Sequence, residues 1–231
     1  DLNGDGRFAE DEVVAPADQP GIVLTDKAGK RYTSKAGPVD LRWEEIGPTR
    51  AVLLAEGPLQ AEDGGKLMRY RCRMTFHAGF AGIPTVFTLI NGEGASAMPP
   101  TMTAVKSLSL TMNTGQGNQA PTRVLQDYDS HTVTTEGDTR TESEGRPLGV
   151  ISAQGENARA TLCLRDFWQL YPKAISRSEN GELSLGLLPE LPADQYAQHT
   201  DPKLKTQHYY WFRDGAYQVP CGVALSHDIL C

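Results

Sequence analysis

The run KLMRYRCRMTF (66–76) alternates for nine residues without a break. Met68, Tyr70, Cys72, Met74 and Phe76 fall on one side; Arg69, Arg71, Arg73 and Thr75 fall on the other. A period of two is the signature of a half-buried strand, since successive side chains point to opposite faces of a sheet. It predicts an apolar face turned inward and an arginine face turned to an open or groove side. The same alternation returns in ARATLCLRDF, with Ala158, Ala160, Leu162 and Leu164 on one face, and in ELSLGLLPE, with Leu183, Leu185 and Leu187.

Shorter strand-like runs fill the spaces between. GIVLT and RYT flank a DKAGK turn and read as a hairpin. LRWEEI (41–46), TRAVLLAEG (49–57), PTVFTLIN (84–91) and AVKSLSLTM (104–112) follow, with a turn tipped by Asp63, Gly64 and Gly65. HYYWFRDGAYQV reads as a late strand whose Asp214-Gly215 is a turn, and PCGVALSHDILC as a last strand or the start of a helix. The polar segments 113–122 and 136–147 read as loops, and 191–208 as a long loop or short irregular helix. The chain has 23 Gly and 15 Pro in 231 residues, no internal repeat and no long amphipathic helix. Many short strands with turns between them predict an all-β fold, an antiparallel β-sandwich. The domain reading is an acidic loop and linker over 1–20, the sandwich over 21–220, and over 221–231 the start of a connection to a further domain.

Charge and composition exclude several functions. A formal charge of −7, evenly mixed, argues against nucleic acid as a partner, because phosphate binding needs a basic face. No stretch approaches the ~20 apolar residues of a membrane span. Cys72, Cys163, Cys221 and Cys231 form no CxxC pair, which leaves buried thiols or one disulfide. No nucleophile elbow, HExxH or phosphate loop is present.

Four places carry candidate chemistry. DLNGDGRFAEDE at the front fits an EF-hand calcium loop: Asp1, Asn3 and Asp5 offer side-chain oxygens, Arg7 its carbonyl and Glu12 two carboxylate oxygens. Gly6 permits the sharp turn and Phe8 points to an apolar seat. The ion would be a structural Ca²⁺; an acidic solvated loop is the plainer reading, and Val-Val-Ala-Pro follows where a helix belongs. The second place is RDFWQLYPK, where Arg165, Asp166, Trp168, Tyr171 and Lys173 combine cations, a carboxylate and rings. Aromatic faces suit a pyranose, and an arginine fork suits a uronate carboxylate; the same residues also serve to fasten a sandwich corner. The third is the aromatic run with His208, Tyr209 and Trp211, a sugar platform or a contact with another domain. The fourth comprises single histidines, His131 in QDYDSHTV and His227 in SHDIL.

In order along the chain, EIGPTRAVLLAEG, RYRCRMTFHAG with PTVFTLIN, VKSLSLTM, QDYDSH, LRDFWQLYPKAI with GELSLGLLPE, and DGAYQVPCGVALSHDIL resemble the central β-sandwich domain of the exo-rhamnogalacturonan lyase family (PcRGLX/YetA-like proteins). The resemblance runs from about Gly21 to Cys231, and RDFWQLYPK with GLLPE is its most specific part. It implies a galactose-mutarotase-like super-sandwich taken from a larger multidomain protein, with a RIFT-barrel domain before it and an α/α toroid after it. It implies a secreted or periplasmic location, an acidic polysaccharide as partner, and β-elimination: a base takes the C5 proton of a uronate while a cation neutralises its carboxylate. Catalytic candidates of the needed types are His131, Arg165, Tyr171, Lys173 and His208; substrate-binding candidates are Asp166, Trp168, Tyr209 and Trp211. The alternative is a non-catalytic carbohydrate-binding module or structural subunit of an extracellular assembly.

Overall fold

The computed structural model describes the chain except residues 1–20, 93–100, 115–119, 128–130, 155–158 and 198–199, and the side chains of His208 and Tyr209. The calcium-type loop, with Asp1, Asn3, Asp5, Arg7 and Glu12, therefore lies outside the described residues. In chain order the strands begin with β1 (Ile22–Asp26), β2 (Arg31–Thr33), β3 (Asp40–Ile46), β4 (Arg50–Gln60), β5 (Lys66–His77) and β6 (Pro84–Ile90). They continue with β7 (Met102–Asn113), β8 (Thr122–Gln126), β9 (His131–Glu136), β10 (Thr139–Glu144), β11 (Val150–Gln154) and β12 (Arg159–Leu164). β13 (Ala174–Arg177) and β14 (Glu182–Leu188) precede a helix, α1 (Pro202–Trp211), and β15 (Phe212–Arg213), β16 (Ala216–Pro220) and β17 (Ala224–Leu230) follow it.

Every pairing among these strands is antiparallel. One layer runs β11–β12–β17–β6–β5–β4–β3. The other runs β10–β9–β8–β13–β14–β7–β1–β2, with β16 and β15 extending the layer beyond β14 on β7. The Thr33–Gln60 pair joins the layers at one edge. The fold is the expected antiparallel β-sandwich.

Register explains the core. Ile22, Leu110, Leu185, Ile175 and Val124 stand opposite one another across five strands of the second layer. Leu183, Leu185 and Leu187 are fully buried, as the Leu/Ser and Leu/Gly alternation of β14 demands. Each such side chain contributes roughly 1.5–3 kcal/mol through apolar burial. On the first layer, Tyr70 pairs with Leu89 and Cys72 with Phe87, all facing inward; Leu54, in register with Arg73 and Arg42, is buried on the opposite, charged face. That charged face is open to solvent, as expected, and ion pairs tie its side chains together. Arg71 holds Glu56 at 2.6 Å, Arg42 holds the same carboxylate at 3.2 Å, and Arg73 holds Glu44 at 2.6 Å. Arginine hydrogen bonds keep Glu44 and Glu56 below the usual carboxylate range.

Three segments differ from expectation. The helix at 202–211 begins inside the 191–208 stretch read as a loop or short irregular helix, but it runs on through 208–211, where the sequence predicts strand. Asp201 is the reason: its Oδ1 accepts from Lys203 N at 2.8 Å and its carbonyl from Lys205 N at 3.0 Å, with Pro202 in the first turn. Residues 139–144 are a strand, not a loop, closing a hairpin on β9 through Gly137 at φ 56°. The sheet also extends past the expected boundary at 220, since β17 pairs along its whole length with β6 and at its end with β12. None of the four cysteines is in a disulfide, and no helix among the described residues is long and apolar enough to cross a membrane.

Candidate functional site

The RDFWQLYPK run is where the chain crosses from one layer to the other. β12 ends at Leu164, residues 165–170 turn, and β13 begins at Ala174. Phe167 drives into the core, and Gly149 (φ 69°) makes room for it: a Cβ at 149 would stand 2.5 Å from that of Phe167. Arg165 remains exposed and reaches Asp228 at 3.3 Å and Asp166 at 3.7 Å. The Arg146 guanidinium lies 3.5 Å from the centre of the Trp168 ring, so that face is already covered by a cation. Lys173 is 3% exposed and donates to Leu187 O at 2.7 Å and Pro172 O at 3.2 Å. Burial pulls its amine down to about 7. It caps the carbonyl left over at the β14 bulge and has no route to a substrate on the surface.

The other candidates separate. Trp211 closes an aromatic cluster with Tyr196, Phe212 and Tyr217 at centroid distances of 5.7, 6.3 and 5.5 Å. The side chains of His208 and Tyr209 lie outside the described residues. Tyr171 accepts a hydrogen bond from the Tyr196 hydroxyl at 3.2 Å. His131 opens β9, half-buried, and its carbonyl accepts from Asp127 N at 2.8 Å.

A cleft of about 460 Å³ lies over the outer face of β8, β9 and β10. Its floor holds one apolar pair, Leu125 opposite Val133, within a mostly polar and charged lining. One step along, Arg123, Thr135 and Arg140 form a row across the three strands. The segment from Glu190 to Gln195 makes the wall, and Glu190 is pinned to Lys106 at 2.9 Å. Arg140 is held by Glu142 at 2.6 Å. Among the described residues Arg123 has no carboxylate partner, so its guanidinium is available to a ligand. A second cavity of about 290 Å³ continues past Thr122 and Ser176 and shares Arg123 and Thr135 with the first.

Of the residues singled out in the sequence, His131 belongs to this face, two positions from Val133 and on its side of β9. Tyr171 sits at the same end of the sheet, because Gln126 N bonds Lys173 O at 3.4 Å and places 171–173 beside the end of β8. Arg165, Asp166 and Trp168 stay together elsewhere, on the layer crossing. Arg123 and Arg140 were missed. The signal was present as Thr-Arg and Thr-Arg-Thr-Glu at strand spacing, but β10 carries no apolar alternation to mark it as a strand. Among the described residues no group of three or more His, Cys, Asp or Glu side chains is placed to hold a metal ion.

No family model matches the sequence and no curated protein matches it. Among solved structures, the GH36 alpha-galactosidase AgaB from Geobacillus stearothermophilus is similar at 8% identity and a TM-score of 0.31. The match covers 93% of this chain and 30% of that one, so the chain spans under a third of that protein. A likeness this distant bears on neither activity nor ligand.

Proposed function

We propose that this chain is the glycan-binding β-sandwich of a larger secreted polysaccharide-acting protein, and that it holds an acidic polysaccharide in the cleft over β8–β10. The observation that carries the reading is Arg123, without a carboxylate partner among the described residues, beside the apolar pair Leu125 and Val133. An apolar pair suits the C–H face of a sugar, and an arginine fork suits one uronate carboxylate. Asp127, Glu190 and Asp194 lie on the same cleft. That mixture favours a glycan whose acidic units are separated by neutral ones, of which rhamnogalacturonan is one. Leu41, Trp43 and Ile46 on β3 are exposed, at 58%, 53% and 76%. An apolar row of this kind is what a sandwich packed against a further domain presents.

Isothermal titration with rhamnogalacturonan oligosaccharides and with neutral galactan oligosaccharides tests the reading. Arg123→Ala is expected to weaken the acidic ligand about tenfold or more, in line with the ~1.5–3 kcal/mol of a hydrogen bond to a charged group, and to leave neutral binding nearly unchanged. Equal affinity of the variant and the parent for the acidic glycan would remove the proposal.

The lyase reading has one foothold, His131 and Tyr171 at the same end of the sheet. Elimination needs a base and a carboxylate-neutralising cation around one sugar. With Lys173 inside and Arg165 on the layer crossing, a further domain would have to complete such a site. Absorbance near 235 nm during incubation with uronate polymers reads the unsaturated product. This chain alone is expected to give no rise, and the whole protein a rise that depends on His131 or Tyr171.

A further inference from the structure

We infer that the chain pairs with a second copy of itself through the bare end of the first layer's inner face. The inference is independent of the glycan reading, since this face lies on the other layer from the cleft over β8–β10. Burial along β5 shows where the second layer stops covering the first. Met68 and Tyr70 are 1% and 5% exposed, and Cys72, Met74 and Phe76, next along the same side, are only half-buried. Across the strands, Trp43, Leu53 and Met74 stand in one register row, and Ile46, Ala51 and Phe76 in the next. The Trp43 and Phe76 rings meet at 6.1 Å, so both stand on this side. Leu41 extends the face by a further row, opposite Ala55.

A bulge builds this face. The register shifts between Trp43 and Glu45, which returns Ile46 to the side of Trp43 and leaves Glu44 and Glu45 on the other. There Arg73 and Arg50 hold the two carboxylates. The bulge also spoils β3 as an edge for strand addition, so the contact is face to face. In a chain of net charge −7, the inward positions of these three strands in the bare region carry no charge. A partner recognised through charge has nothing to bind there, and two copies bring no like charges together. A bare sheet face is covered by another sheet at about 10 Å. About a two-fold axis, each copy's overhang stands in for the part of the second layer that the other lacks. Three strands with three inward positions each present roughly 300 Å² in plan. That makes the apolar centre of an interface of about 800 Å² per partner, with the ends of the second layers as its rim.

Sedimentation velocity of the unmodified chain over a concentration series tests this. The mass is expected to move from one chain, 25.2 kDa, to two across the micromolar range. Ile46→Lys and Trp43→Glu, at positions 76% and 53% exposed, are expected to melt as the parent does when dilute. Each is expected to weaken association about tenfold or more, because it buries an unpaired charge or removes a central anchor. In the unmodified chain, hydrogen exchange in peptides spanning 41–46 is expected to slow as concentration rises, and this measurement decides alone should the variants fail to fold. A chain that stays single at every concentration overturns the inference and leaves the face to a further domain. A dimer that both variants leave intact, or exchange at 41–46 that ignores concentration, places the contact elsewhere and overturns it too. Assembly beyond two does the same, since a face closed by a two-fold axis stops at a pair.

Discussion

At the residue scale, two buried bases set how this protein responds to pH. The Lys173 amine is pulled from its ordinary 10.5 to about 7 by burial. Burial, with the nearby Lys173 charge, also lowers the His227 imidazole from 6.5 to about 4. The unfolded chain holds each proton to the higher value and the folded chain releases it at the lower one. Within each window the unfolded state binds more protons, so stability rises with pH and is lost on descent, from about 10.5 to 7 for Lys173 and from 6.5 to 4 for His227. His227 stacks on Phe87 at 6.5 Å, and neither of its ring nitrogens has a hydrogen-bond partner. His227→Phe keeps the shape and removes two orphaned polar atoms. It is expected to stabilise the protein by about 1–3 kcal/mol and to flatten the melting temperature between pH 4 and 6.5. Lys173→Met leaves Leu187 O without its donor. Urea unfolding is expected to show a loss of about 1–3 kcal/mol at pH 9, and a smaller loss at pH 6, where the charged amine already penalises the parent.

At the scale of elements, what the sequence discloses depends on whether a segment has one dry face. β5, β12 and β14 do, and their alternation named both the strands and the inward residues. β10 has none: all six of its residues are exposed, so Thr-Arg-Thr-Glu-Ser-Glu looks like loop until its pairing with β9 is known. α1 was masked for another reason. Its aromatic residues at 209–212 favour strand locally, while the Asp201–Pro202 cap that starts the helix lies outside that window. The Arg165–Lys173 crossing shows the same limit on function. Its residue types were legible, but the direction of each side chain was not, and Lys173 and Phe167 turned inward. Gly149 on the neighbouring segment gives a test of that corner. Gly149→Ala forces a side chain to φ 69° and into Phe167 and Leu164 O. A loss of about 1–3 kcal/mol in chemical denaturation is expected, and a second-site Phe167→Leu should recover part of it. Full stability of the single variant would show that the corner yields.

At the scale of the molecule, the last strand is structural and central. β17 lies between β12 and β6, so one layer of the sandwich is continuous only through it. It contributes seven register pairs to β6, from Ala224 opposite Ile90 to Leu230 opposite Pro84, and sets His227 and Ile229 into the core. From sequence this stretch read equally as strand or as the start of a helix, since its pairing partner lies far back along the chain. Ending the chain after Cys221 would split the layer into β11–β12 and β6–β5–β4–β3, with two new strand edges bare. Unpaired backbone groups next to a dry core are poorly tolerated. Such a chain is expected to lose its cooperative thermal transition and to aggregate. A synthetic peptide of residues 222–231 added during refolding supplies the missing strand and is expected to restore a single transition at one peptide per chain. If the shortened chain unfolds cooperatively on its own, the continuity of this layer is not what holds the two halves together.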